Sequence, residues 1–342
     1  MTVVTSPAGA VPAAGVEADR PRPVRQRRSP ADLAFRGGVR LAGVLVLLLM
    51  TMVGLFLGFR AVLALRVAGW DFLTTETWEP DSGTFGIAAV LTGTLLIASV
   101  AIVFAVPLAT GTALYISEFA PRGLRRTLVS LVDLMAAVPS VVYGLWGAFL
   151  LQGKVIGLSR WLSTYLGWLP PFAVPGADPD DPLSPAAAYT SSTFIAGLVV
   201  ALMITPIICS VMREVFSQAP VGEREGAYAL GATRWGMIRS VVLPFGKGGM
   251  IGGSMLGLGR ALGETIAVYM IISPVFAIQP HLLANGSNSV SALIALRYGD
   301  ASARGISALM AAGLTLFLMT LLVNFVASSI IARSRSGASS DA

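Results

Sequence analysis

Six apolar runs, each matching or exceeding the about 20 helical residues that crossing a bilayer takes, leave this sequence few ways to fold. They cover residues 41–65, 85–116, 127–151, 192–212, 248–273 and 306–332. In lipid the backbone must satisfy its own polar groups, so such runs resolve into helices. The composition agrees: 55% of the 342 residues are hydrophobic and 12% charged, where a soluble domain carries about 25%. A water-soluble fold could not cover its surface with so few charges. The expected fold class is all-α: a polytopic membrane protein with six transmembrane helices. Pro107, Pro139 and Pro206 are expected to bend spans two, three and four, with a kink or break in the overlong second.

Several chemistries are excluded at once. The chain has one cysteine, Cys209, and one histidine, His281, so no internal disulfide and no Cys/His zinc site can form. The nearest string to a nucleotide loop, Phe245-Gly246-Lys247-Gly248, lacks the Ser/Thr after its lysine. No cofactor, metal or catalytic residue is therefore expected, and any ATP hydrolysis falls to another chain.

Residues 1–35 hold Arg20, Arg22, Arg25, Arg27 and Arg28 among alanines and prolines, which reads as a disordered basic tail. This leader is far longer than the n-region of a signal peptide, so the first run is expected to be a retained anchor. Residues 36–84 then supply the first transmembrane helix and an outer loop. Most of the 24 Lys and Arg fall in the tail, around 122–126, in the 213–247 loop and at Arg333 and Arg335. Basic residues mark cytoplasmic segments, so both termini are expected in the cytoplasm, with 66–84, 152–191 and 274–305 outside. The net charge of +6 thus needs no nucleic-acid partner. Tryptophans 70, 78, 161 and 168 suit the membrane interface, where lipid is the partner.

The inner loop before the fifth span has its own punctuation. Pro220 suits a helix start, Glu223 and Glu225 favour its positive end, and Gly231 suits a left-handed stop. Thr233 can cap a second short helix running to Leu243-Pro244. A helix–glycine–helix at the membrane surface is either an ordinary interfacial loop or a grip for a soluble partner. The residues Glu225-Gly226-Ala227, Gly231, Val241, Leu243 and Pro244 resemble the E-A-A-x3-G-x9-I-x-L-P motif of ABC-importer permeases, with Gly226 for the first Ala and Val241 for Ile. The resemblance implies that this loop, 213–247, forms the coupling helix that docks on an ATPase subunit. Glu225, Ala227, Gly231, Leu243 and Pro244 are the residues it assigns to coupling.

The fifth run carries charge. Arg260 lies roughly 18 Å along a helix counted from Gly248, and Glu264 at i+4 shares its face, so the two are expected to pair at mid-bilayer. Gly249, Gly253, Gly257 and Ala261 form a small-residue stripe for close packing. One reading of Arg260 is a structural ion pair; the other is a guanidinium lining a path for an anion, since arginine matches paired phosphate oxygens. Asn324 in the sixth run reads as an interhelical hydrogen bond.

The stretch Gly259-Arg260-Ala261-Leu262-Gly263-Glu264-Thr265 resembles the phosphate-transport permeases. So do Trp78-x-Pro80 with Phe85-Gly86, Gly93-Thr94-Leu95, Tyr115-x-x-Glu118 and Pro139-Ser140-Val141-Val142-Tyr143-Gly144, which look closer to the PstC type than to PstA. The resemblance implies a MetI-like permease domain over 85–332 with a cytoplasmic tail at 333–342. It implies Arg260 and Glu264 in the substrate pathway and import of inorganic phosphate. The partners implied are a PstA-like permease, two PstB-like ATPases and a PstS-like binding protein. A permease for another oxyanion and an ion-coupled secondary transporter stay open as alternatives.

Overall fold

The computed structural model describes residues 30–178 and 185–335, with side chains described through Ser329. The basic tail up to residue 29, the Asp-Pro stretch at 179–184, the chain end at 336–342 and the side chains of Arg333 and Arg335 lie outside the described residues. Contacts divide the chain into two units, residues 1–52 and 53–342. What is described of the first is the opening stretch of helix α1 (Pro30–Ala68).

In the second unit, α1 ends in a short 3-10 turn and a two-stranded hairpin follows. Strands β1 (Trp78–Glu79) and β2 (Thr84–Phe85) pair Trp78 with Phe85. Phe85 meets Phe72 and Trp78 edge-on, at 6.0 and 6.3 Å between ring centres. Helix α2 (Ala88–Leu114) runs unbroken through Pro107 and closes in a π turn at Tyr115–Phe119. Next come α3 (Arg122–Ala137), α4 (Ser140–Trp146), a second π turn at Gly147–Leu151 and α5 (Gln152–Leu166). Helix α6 (Thr193–Ser217) also runs through its proline, Pro206. The chain then forms α7 (Val221–Ala229), α8 (Arg234–Met237), a third π turn at Ile238–Val242 and α9 (Leu243–Leu262). Helices α10 (Ile266–Ile271), α11 (Val290–Arg297) and α12 (Ala303–Arg335) complete it.

Among the described residues six helical stretches are long and apolar enough to cross a membrane. Two lie elsewhere than the hydropathy pattern places them. The third is Ser140–Leu166, not 127–151. Pro139 offers no N–H and holds Val138 extended (ψ 129°), which breaks the chain between α3 and α4. Residues 152–166, expected in an outer loop, are therefore helical. The fifth is Arg234–Leu262, not 248–273, because Leu243-Pro244 does not end a helix. The π turn before Pro244 takes up the irregularity: the Leu243 N–H bonds the Ile238 carbonyl, five residues back.

Helix α6 occupies the centre, packed against α2 on one side and α9 on another. Ile195, Val199, Ile204, Ile208 and Met212 are sealed from solvent. Close approach is what drives such packing in lipid, where apolar surface gains nothing by hiding. On α2, Ala101, Ala105, Ala109 and Ala113 repeat every four residues and are fully buried. On α9, Gly249 and Gly257 lie so near Val215 and Ile208 of α6 that side chains there would collide, and Gly253 faces Val211 of α6 with room for contact only. The expected small-residue stripe is thus the α6–α9 contact.

A buried polar seat joins these helices to the 285–291 segment. The Val290 N–H donates to Thr94 Oγ1 at 3.0 Å, and the Thr193 and Ser287 hydroxyls bond at 2.9 Å. Ser307 ties α12 to α1, accepting from the Ala64 N–H and donating to the Arg60 carbonyl.

Candidate functional site

The loop between α6 and α9 forms the punctuated turn its residues dictate. Gly231 sits at φ +83°, and its N–H bonds the Tyr228 carbonyl at 2.9 Å while Ala232 N–H bonds the Ala227 carbonyl at 3.0 Å. These two reversed bonds are a Schellman stop, so Ala227 supplies the carbonyl that the turn closes on. A side chain at Gly231 would hold the left-handed conformation at a cost of about 1–2 kcal/mol. Thr233 caps the next helix, accepting from the Gly236 N–H at 3.1 Å. Leu243 packs on the core and Pro244 is exposed. No residue of α7 is buried. Glu225 is exposed, and Val221, Tyr228, Leu230 and Trp235 leave an uncovered apolar surface, with Leu230 91% exposed.

Arg260 stands in the last turn of α9, about 39 Å from the start of the continuous helix at Arg234, so it is not at the helix midpoint. It is exposed and lines an open groove of about 540 Å³ with Gly259, Leu256, Ile207 of α6, and Thr320 and Asn324 of α12. Among the described residues Arg260 and Asn324 have no hydrogen-bond or ion-pair partner. Asn324 is thus a groove residue, not the interhelical bond expected of it.

The expected Arg260–Glu264 pair does not form. Helix α9 stops at Leu262 and Gly263 closes it, so the i+4 register that would stack the two side chains is lost. Glu264 is instead buried, 8% exposed, and its carboxylate accepts the Ala267 N–H at 3.2 Å at the start of α10. Its backbone carbonyl accepts from the Ser291 hydroxyl at 2.8 Å. Arg260 faces the groove; Glu264 braces the segment behind it.

An ion pair that no sequence pattern announces joins α7 to the end of α2. Arg224 of α7 donates through Nη1 to Glu118 Oε2 at 3.0 Å and through Nη2 to the Phe216 carbonyl at 2.6 Å. The partners are 106 positions apart, and no local spacing links them.

Comparison with known proteins places these features in a family. Residues 105–336 match the family described as "Binding-protein-dependent transport system inner membrane component". The phosphate transport system permease protein PstC of Pasteurella multocida is 38% identical over 88% of this chain and 92% of its own length. PstC 2 of Mycobacterium tuberculosis is 37% identical over 90% of this chain and 93% of its own. Among solved structures, a chain of a bacterial ABC transporter that imports the acidic polysaccharide alginate superposes with a TM-score of 0.53, at 18% identity, covering 88% of this chain and 99% of that one. A second alginate transporter chain, solved in complex with a pentasaccharide-bound periplasmic protein, gives 0.56 at 18% identity over 88% and 96%. At that identity the likeness concerns the fold alone: an all-α, MetI-like ABC-importer permease architecture. With sequence kinship over most of its length and that architecture around its groove and loop, the chain belongs to the binding-protein-dependent transport permeases, within them to the PstC type.

Proposed function

We propose that this permease subunit carries inorganic phosphate into the cytoplasm, driven by ATP hydrolysed on separate subunits. The observation that carries the reading is Arg260: a guanidinium without a partner among the described residues, facing an open groove on a membrane-spanning helix. Charged residues within membrane-spanning helices are rare, face the protein or a water-filled cavity, and commonly mark a substrate path. Its planar fork suits two phosphate oxygens at once, and the Asn324 amide beside it adds a neutral donor. Glu264 serves the path indirectly, by holding the chain that follows Arg260. Relatives named for phosphate transport support the substrate assignment.

The groove is open on one side, which a homologous PstA-like permease would close. Glu225, Ala227, Gly231, Leu243 and Pro244 shape the loop that one of two PstB-like ATPases would receive, through the exposed Val221, Tyr228 and Leu230. A PstS-like protein would deliver phosphate on the opposite face. This sets both termini and the 213–247 loop in the cytoplasm, with the permease domain over 85–332, and follows the distribution of arginines.

Two measurements test this reading. The complex in proteoliposomes should take up labelled phosphate only with ATP on the ATPase side, and excess unlabelled phosphate, not sulfate, should compete. Uptake by the chain alone, driven by an ion gradient, would sink the ATP-driven reading, and equal competition by sulfate would sink the phosphate assignment. In a Cys209→Ser background, cysteines at the exposed Leu230 and Trp168 should label from opposite sides with an impermeant thiol reagent. Labelling of both from outside intact cells would overturn the orientation.

A further inference from the structure

Helix α7 buries none of its own residues, yet it must move with the bundle if it is to transmit anything. Ala227 packs against the core, and the long-range side-chain hydrogen bonds of the helix run through Arg224. The carboxylate it meets, Glu118, is 4% exposed and belongs to the π turn that ends α2. The second acceptor, the Phe216 carbonyl, lies in the last turn of α6. The Phe216 ring is itself sealed against Gly246 of α9, where a Cβ would collide with it. One guanidinium therefore ties α7 to the ends of α2 and α6, and through Phe216 to the start of α9. Next in the same π turn, Phe119 lies under a second cation of the loop, with the Arg234 guanidinium 5.4 Å from its ring centre. Both arms of the loop thus hold the same turn.

The pair is largely withdrawn from solvent, with the Glu118 side chain 4% and the Arg224 side chain 21% exposed. Glu118 Oε1 and Arg224 Nε are buried without hydrogen-bond partners among the described residues. Losing one partner of such a pair leaves the other charge buried without its counter-ion, which is costly, so breaking the link is disfavoured. π turns within helices frequently mark functional positions.

We propose that the Arg224–Glu118 pair is the positioning link through which movement of α7 reaches α2 and α6, keeping substrate passage in step with ATP hydrolysis. The inference rests on the docking of the 213–247 loop on an ATPase proposed above. Neither residue touches substrate; their role is to transmit.

The test uses the whole complex in proteoliposomes, with ATP hydrolysis and labelled-phosphate uptake measured on the same preparation. Removing both charges together (Glu118→Ala with Arg224→Ala) leaves no unpaired buried ion. Phosphate imported per ATP hydrolysed should fall about fivefold or more, the lower range of coupling between distant sites, with hydrolysis per complex held within about twofold. The double variant should lose no more of this ratio than either single variant does, as expected for two groups acting as one unit. Glu118→Gln, which keeps the size and an acceptor, should lower the ratio by a smaller factor and carries the test should the alanine variants not assemble. A wild-type ratio in the assembled variants overturns the proposal, because a merely structural pair changes how much complex forms and not what each complex does. Single-variant losses that multiply in the double variant overturn it too. The docking premise is read separately, by crosslinking a cysteine at Leu230 to the ATPase subunit in a Cys209→Ser chain. No crosslink removes the premise and the proposal with it, whereas a crosslink with an unchanged ratio removes the link alone.

Discussion

Arg260→Ala should lower phosphate uptake about 10- to 100-fold in assembled complexes, the equivalent of losing a charged hydrogen bond of roughly 1.5–3 kcal/mol. The amount of complex should stay near wild type, since Arg260 has no partner among the described residues whose loss would unsettle the fold. Arg260→Lys keeps the charge but replaces a planar fork by a point donor, so its uptake should fall between the two. Exchanging Arg260 with Glu264 should not restore function. The two are not a pair, and Glu264 holds the start of α10 through the Ala267 N–H while Ser291 holds its carbonyl. Glu264→Ala should accordingly lower the thermal stability of the chain, an effect Arg260→Ala lacks. The measurement is initial uptake of labelled phosphate, normalised to assembled complex. Near-normal uptake by Arg260→Ala would end the case for an anion contact.

The contrast between those two residues shows where sequence reading stops. Arg260 and Glu264 are four positions apart in an apolar run, and the helical rule that pairs them holds only while the helix continues. Gly263 looks no different in sequence from Gly257 or Gly259, yet the helix ends there and passes through the others. Prolines behave likewise. Pro107 and Pro206 sit inside unbroken helices, whereas Pro139 separates α3 from α4, with the Tyr143 hydroxyl bonded back across the gap to the Met135 carbonyl at 2.9 Å. Hydropathy counts apolar residues and does not see which carbonyls can be satisfied by a neighbour, so the third and fifth spans slid along the chain.

Local signals fared better. Gly231 takes the left-handed stop and Thr233 the cap, because each is fixed by bonds within a few residues. The number of spans and the glycine face of α9 were legible for the same reason: length and a step of four are properties of one helix. The alanine face of α2 obeys that step too, but alanine is ordinary in any apolar run and so gives no signal. Glu118 and Arg224 were both visible, one inside a resembling string and the other as a loop charge. Only the fold brings them to 3.0 Å.

Two glycines of α2 give the sharpest contrast in stability. A Cβ at Gly93 would run into the carbonyl oxygen of Asn288, backbone that cannot swing aside as a side chain can. That carbonyl belongs to the 285–291 segment, which Thr94 holds through Val290 and which bonds Glu264 through Ser291. Gly93→Ala must therefore push α2 off this seat, a small overpacking that should cost about 1–3 kcal/mol or more. At Gly111, further along the same helix, a Cβ meets nothing within 4 Å. There alanine replaces a poor helix former, and the chain should be unchanged or more stable by up to about 1 kcal/mol. Thermal unfolding of the detergent-solubilised chain should show the midpoint falling for Gly93→Ala and holding or rising for Gly111→Ala. Because the segment that carries Asn288 also bonds Glu264 through Ser291, the first variant should also lose uptake without any change at Arg260. Equal midpoints for the two variants would mean that α2 does not rest on the Asn288 carbonyl, and that the path behind Arg260 is braced by other contacts.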